Sequence, residues 1–175
     1  MKRQKGFSLI ELLIVVAIIL IIAAIAIPNL LRAHMAANES SAVGSVRAID
    51  TAEFAYQSSY PTVGYSSTLL ALGPPASTGC SGIQPLSTSA CLIDWVLANA
   101  STVASSKSGY YFGDTAFNPA GGANSSYVVG GVPSAPNQSG VRGFCSTEEG
   151  VVRFTANAVT PVATVAACAA YIALQ

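Results

Sequence analysis

The sequence predicts an α+β fold: a long N-terminal α-helix, transmembrane then amphipathic, packed on a C-terminal antiparallel β-sheet head of about four strands. Three observations predict it. Residues 7 to 27 form an apolar run broken only by Ser8 and Glu11. Apolar residues at helical spacing continue to about Ser59. Beyond residue 108, short runs rich in Val, Tyr and Phe alternate with Gly, Pro, Asn and Ser, the pattern of strands and turns. The 175 residues suffice for one domain with a real core. They divide into a basic leader (1–6), an apolar helix (7–27), its amphipathic continuation (28–59) and a head (60–175).

The apolar run comes first. Phe7 to Ile27 spans about 31 Å as an α-helix, close to the hydrocarbon thickness of a bilayer. Lys2, Arg3 and Lys5 put its N-terminus on the cytoplasmic side by the positive-inside rule. The rest of the chain is then outside the cytoplasm. A cleaved secretory signal is the plain alternative, weakly imitated by Ala23-Ala24-Ile25-Ala26. The run is too long for that and carries a carboxylate near its start. Glu11 costs several kcal/mol in lipid unless it snorkels, is protonated or meets a cation. Cleavage after Gly6 would free the amine of Phe7, four residues from Glu11. The pairing could form within one helix, or between two staggered helices, where it would set register.

Pro28 lacks an amide hydrogen, so a kink or local melting is expected near residues 24–28. Past it, Val43, Val46, Ile49, Ala52, Glu53 and Tyr56 share a stripe on which the head is expected to pack. Glu39, Arg47 and Asp50 can point elsewhere, and Arg32, His34, Glu39, Asp50 and Glu53 are read as solvated or subunit-facing. Tyr60-Pro61 stops the helix.

Residues 61 to 108 read as loop-rich, with Gly73-Pro74-Pro75 as a strong breaker and Trp95 as a core anchor. Four strands are expected at Gly109–Phe112, Ser126–Val129, Val141–Cys145 and Gly150–Phe154, the last two as a hairpin. The stretch from Val159 to Leu174 is expected to return over the sheet as coil or short helix.

Cys80, Cys91, Cys145 and Cys168 form no C-x-x-C pair, and the single histidine is His34, so zinc is poorly supported. In an exported chain they read as two disulfides with three possible pairings. Cys80–Cys91 with Cys145–Cys168 closes short loops and is preferred. Four buried free thiols are the alternative.

Composition narrows the function. Formal net charge is zero, and five basic residues face eight acidic ones once the leader is gone. Nothing global favours nucleic acid. No phosphate-binding glycine motif or Ser-His-Asp set is present in the head, and Glu148-Glu149 sit in a turn, so the chain is not expected to be an enzyme and no cofactor is expected. Asp114, Glu148 and Glu149 are candidate calcium ligands, although no acid cluster lies near the C-terminus. Tyr110, Tyr111 and Tyr127 could line an adhesive surface but are assigned to the sheet–helix interface.

The stretch Lys5-Gly6-Phe7-Ser8-Leu9-Ile10-Glu11-Leu12-Leu13-Ile14-Val15-Val16, continued through Ala23-Ala24-Ile25-Ala26-Ile27-Pro28, resembles the N-terminus of type IV pilins and of type II secretion pseudopilins. The six-residue leader and Phe7 resemble the type IVa class. The resemblance covers about the first 30 residues. It implies that a prepilin peptidase cuts after Gly6 and N-methylates Phe7, and that Glu11 neutralises the terminal amine of a neighbouring subunit. It further implies a homo-polymeric helical filament, raised by an inner-membrane assembly platform and motor. The subunit would wait in the bacterial inner membrane and end in an extracellular filament serving motility or adhesion. A pseudopilin would instead form a short periplasmic pseudopilus for protein secretion.

Overall fold

The computed structural model describes residues 8–82, 84–118 and 121–174. Two compact units divide at residue 34. The first is wholly helical over its described part beyond Ser8 and belongs to α1 (Leu9–Ser59), whose remainder lies in the second unit. Residues 24–28 stay helical with Pro28 inside the element, so the local melting expected there is not observed.

In the second unit, the later part of α1 carries Ala42, Val46, Ile49, Ala52 and Tyr56 into the core. Two short helices follow, α2 (Leu69–Leu72) and α3 (Trp95–Ala98), with a 3-10 turn at Val103–Ser105. Asp94 caps α3, its carboxylate accepting from the Leu97 N–H at 3.2 Å. Leu97 and Ala98 of α3 turn inward and Trp95 is half-exposed, so Leu97 takes the anchoring place expected of Trp95. The Ala90 and Leu92 N–H groups donate to Ala71 and Leu72 carbonyls, and the Cys80–Cys91 disulfide staples the same loop.

The sheet has five antiparallel strands in simple sequential order: β1 (Tyr110–Phe117), β2 (Ser126–Pro133), β3 (Arg142–Thr147), β4 (Arg153–Ala156) and β5 (Ile172–Ala173). The first four sit near the expected runs. The first two are longer than expected, and β4 begins later than Gly150. The fifth comes from the chain end, which pairs with β4 through Arg153↔Ala173 and Phe154↔Ile172.

The two sheet faces do different things, as the period of two requires. Tyr110, Phe112, Tyr127, Val129 and Phe144 join the α1 residues in one core. Val128 and Cys145 face away and pack with Cys168 of α4 (Val165–Ala169), to which Cys145 is disulfide-bonded. Gly130 and Gly143 make that second face shallow. A Cβ at Gly130 would lie 2.6 Å from the Val162 backbone nitrogen, and one at Gly143 2.3 Å from the Ala158 Cβ. The tail fits because those side chains are missing.

Candidate functional site

Two regions carry the sequence-predicted residues: the apolar start of α1 and the polar contacts its later part makes with the head.

At the start, Leu9, Leu12, Leu13, Val16, Ala17 and Leu20 form an apolar strip. Large apolar side chains from Leu9 to Leu31 stand exposed, Leu9 by 80%. An 18-residue stretch has mean hydropathy 3.3 and none of it is buried. Length and composition suit a membrane span. Glu11 lies in the first turn, where a carboxylate favours the helix N-terminus. The Ser8 N–H donates to Glu11 Oε2 at 3.0 Å, and the Leu12 N–H donates to the Ser8 carbonyl at 3.2 Å. This is half of a capping box, with the acid reaching back to the residue before the helix. Sequence reasoning noted the cost of Glu11 in lipid but missed this local use, which the Ser8-x-x-Glu11 spacing signals. The Gly6–Phe7 junction lies outside the described residues.

The acids of the later helix correct the sequence reading. Glu39, Asp50 and Glu53 were expected on a solvated or subunit-facing surface, and all three are buried in the head. Glu39 Oε1 accepts from the Val141 and Arg142 N–H groups at 2.9 and 3.1 Å, and its Oε2 accepts from Arg142 Nε at 2.8 Å. The guanidinium also ion-pairs with it at 2.8 Å. Burial pushes the Glu39 carboxyl up, but these bonds outweigh it and hold the group below its usual range. Beside it, the Asn38 side chain donates to the Ser139 carbonyl at 2.9 Å.

About three turns along, Asp50 Oδ1 accepts from the Tyr127 hydroxyl at 2.9 Å. Burial still pushes Asp50 up to about 6, against the help of Ser146 and Tyr127. Glu53 is fully buried, and its Oε2 accepts from the Ser66 N–H at 2.8 Å. Its carboxyl and that of Asp114 on β1 lie within hydrogen-bonding reach, and burial raises both. The stripe at helical spacing held Glu53 on the face that the head covers, but it gave no sign of the burial of Glu39 and Asp50. Each acid finds its partners at least 13 residues away in sequence, and those of Glu39 lie 102 and 103 residues away.

The remaining candidates separate. Glu149 ion-pairs with Arg153 at 3.0 Å on the β3–β4 hairpin, while Asp114 faces α1. Among the described residues, no group of three potential metal ligands converges. Tyr110 and Tyr127 lie in the sheet–helix core as expected. Tyr111 does not: its hydroxyl donates to the Val159 carbonyl at 2.8 Å on the tail side.

Comparison with known proteins places these features. A model described as the prokaryotic N-terminal methylation motif matches residues 1–27. The chain is similar to the type IV wide pilus major component PilA4 of Thermus thermophilus, 38% identical over 99 residues, 53% of this chain and 74% of that protein. It is similar to the type IV major pilin protein PilA of Myxococcus xanthus, 51% identical over 51 residues, 29% of this chain and 23% of that protein. A fimbrial protein of Pseudomonas aeruginosa is 56% identical over 52 residues, 30% of this chain and 34% of that protein. No solved structure matches the chain. With a methylation motif at its start, a helix whose apolar first part stands exposed, an antiparallel head and a relative matched over most of its length, the chain belongs to the type IV pilin family of pilus subunits.

Proposed function

We propose that the chain is made as a prepilin with a leader at residues 1–6, cleaved between Gly6 and Phe7 and N-methylated at Phe7. Residues 7–27 hold it in the inner membrane until an assembly platform and motor draw it into a homo-polymeric surface filament. Residues 28–59 continue the helix and carry the head, residues 60–175. The observation that carries this reading is the bare apolar helix that opens on a single acid. Each large apolar side chain on it gains about 1.5–3 kcal/mol when covered. Lipid covers it in the membrane, and copies of the same helix are its natural cover in a filament core.

Glu11 supports the same reading. An acid in so apolar a strip is stabilised by the Phe7 amine of an adjacent subunit, which also fixes the stagger between helices. The Ser8 N–H engages Oε2, leaving the other carboxylate oxygen for an incoming amine. The test is electron microscopy of sheared surface material with mass spectrometry of the subunit. Filaments whose subunit begins at N-methylated Phe7 are expected. Glu11→Ala should be processed and membrane-held but poorly incorporated, and filaments of normal yield from that variant would remove the role given to Glu11. Absence of filaments together with loss of protein secretion on deletion would instead indicate a pseudopilin.

A further inference from the structure

The helix–sheet interface buries a pair of acids with no base to meet them. Glu53 of α1 is fully buried, and Asp114 of β1 faces it. Glu53 Oε2 is satisfied by the Ser66 N–H at 2.8 Å, but its Oε1 receives no protein donor, and Asp114 has only the Thr115 N–H beside it to draw on. The titratable groups around the pair come from every packed element: Asp50 and Tyr56 from α1, Tyr65 from the following loop, and Tyr127 from β2. Glu148, beyond β3, bears on Tyr65. All are acids or phenols. The two described ion pairs, Arg142–Glu39 and Arg153–Glu149, involve neither residue, and the Lys107 ammonium donates to Ser45.

Two neighbouring carboxylates whose unpaired oxygens are buried do not readily both stay ionised, because each charge disfavours the other's dissociation. A single proton between them removes the repulsion and joins one oxygen of each carboxyl by a hydrogen bond. The two carboxyls then titrate as a unit. A cleft of about 250 Å³, lined by Thr68, Ser101, Phe112, Gly113 and Asp114, gives that proton a way in and out. No third ligand joins them to make a metal site among the described residues.

We propose that Glu53 and Asp114 share a proton across the helix–sheet interface, and that this proton latches the sheet onto the helix so that the head loosens as pH rises. The sign follows from linkage. The folded head keeps a proton that the unfolded chain, with ordinary carboxyls, has already released. The stabilisation is therefore complete below the ordinary carboxyl range and is lost as pH climbs toward the raised value of the pair.

The test is denaturant unfolding of the full chain in detergent micelles across neutral and alkaline pH. For the wild type, one retained proton predicts about a tenfold loss in the folding equilibrium constant per pH unit. Glu53→Gln reproduces the protonated shape permanently: its carbonyl can accept from Ser66 and its amide can donate to Asp114. This variant should lose that slope, and Asp114→Asn should do the same by the reciprocal bond, keeping the test available if one variant fails to fold. Infrared spectroscopy at neutral pH should show a protonated-carboxyl stretch in the wild type that is absent in Glu53→Gln. Equal slopes in wild type and both variants, or no such band, would overturn the proposal. So would calcium chloride stabilising the wild type but not Glu53→Gln at alkaline pH, because a cation would then stand where the proton is placed.

Discussion

Replacing Glu39 by alanine tests where the helix gets its grip on the head. The carboxylate serves two backbone N–H groups through Oε1 and the Arg142 guanidinium through Oε2. Glu39→Ala strands the Val141 and Arg142 N–H groups at a part-buried site. Each such loss costs about 1–1.5 kcal/mol. The ion pair adds less, since the Arg142 side chain is 42% exposed and water screens it. The expected loss is about 3 kcal/mol, or a drop of roughly 6–12 °C in Tm for a chain of this size. Glu39→Gln separates the two contributions. Its carbonyl can keep both backbone bonds, while its amide loses the charge and the oxygen that accepts from Arg142, so about 1 kcal/mol is expected. The wild-type advantage over Glu39→Gln should be present above the ordinary glutamate range and vanish as pH falls through the lowered value of Glu39. Thermal and urea unfolding in micelles measure all of this. A Glu39→Ala loss no greater than that of Glu39→Gln would refute the reasoning, since the energy would then lie in the ion pair and not in the backbone donors.

Three further outcomes are expected. Replacing Cys145 and Cys168 together by alanine reopens a loop of separation 23 and should cost about 3 kcal/mol in urea unfolding, with loosening concentrated in the tail by hydrogen exchange. Gly130→Ala should cost about 1–3 kcal/mol, because the new methyl meets the Val162 backbone and cannot be accommodated by a side-chain shift; a neutral result would mean the tail does not rest there. Gly44→Ala, in open space on α1, should raise the thermal stability of the subunit by up to about 1 kcal/mol, and a loss would show that something covers that face.

Much of the architecture was legible in the residues. The apolar run, its continuation at helical spacing and the strand-like runs each obey a period that local chemistry imposes, and α1 and β1 to β4 follow them. The short spacings of the cysteines pointed to the pairs the structure holds. What escaped was decided by distant partners. Asp50 and Glu53 look like solvated helix residues until Tyr127 and Asp114 arrive from the sheet. β5 has only two residues and no alternation to detect, so only its pairing with β4 defines it. Trp95 was misplaced because side-chain size alone does not say which face of a four-residue helix meets the core, and here Leu97 and Ala98 do.

The tail that lies over Gly130 and Gly143 has a consequence for how copies can meet. A meander of five strands has two faces, and a bare one invites stacking onto another sheet, the route to fibrils of the wrong kind. Here α1 covers one face, and residues 158–168 reach over the other, tethered through Cys168. At one edge β5 is two residues long, too short a template for a stranger, and at the other the Phe112 N–H is already occupied by the Ala100 carbonyl. For a subunit held in a membrane before assembly, as proposed above, this keeps the sheet out of circulation and leaves polymerisation to the helix.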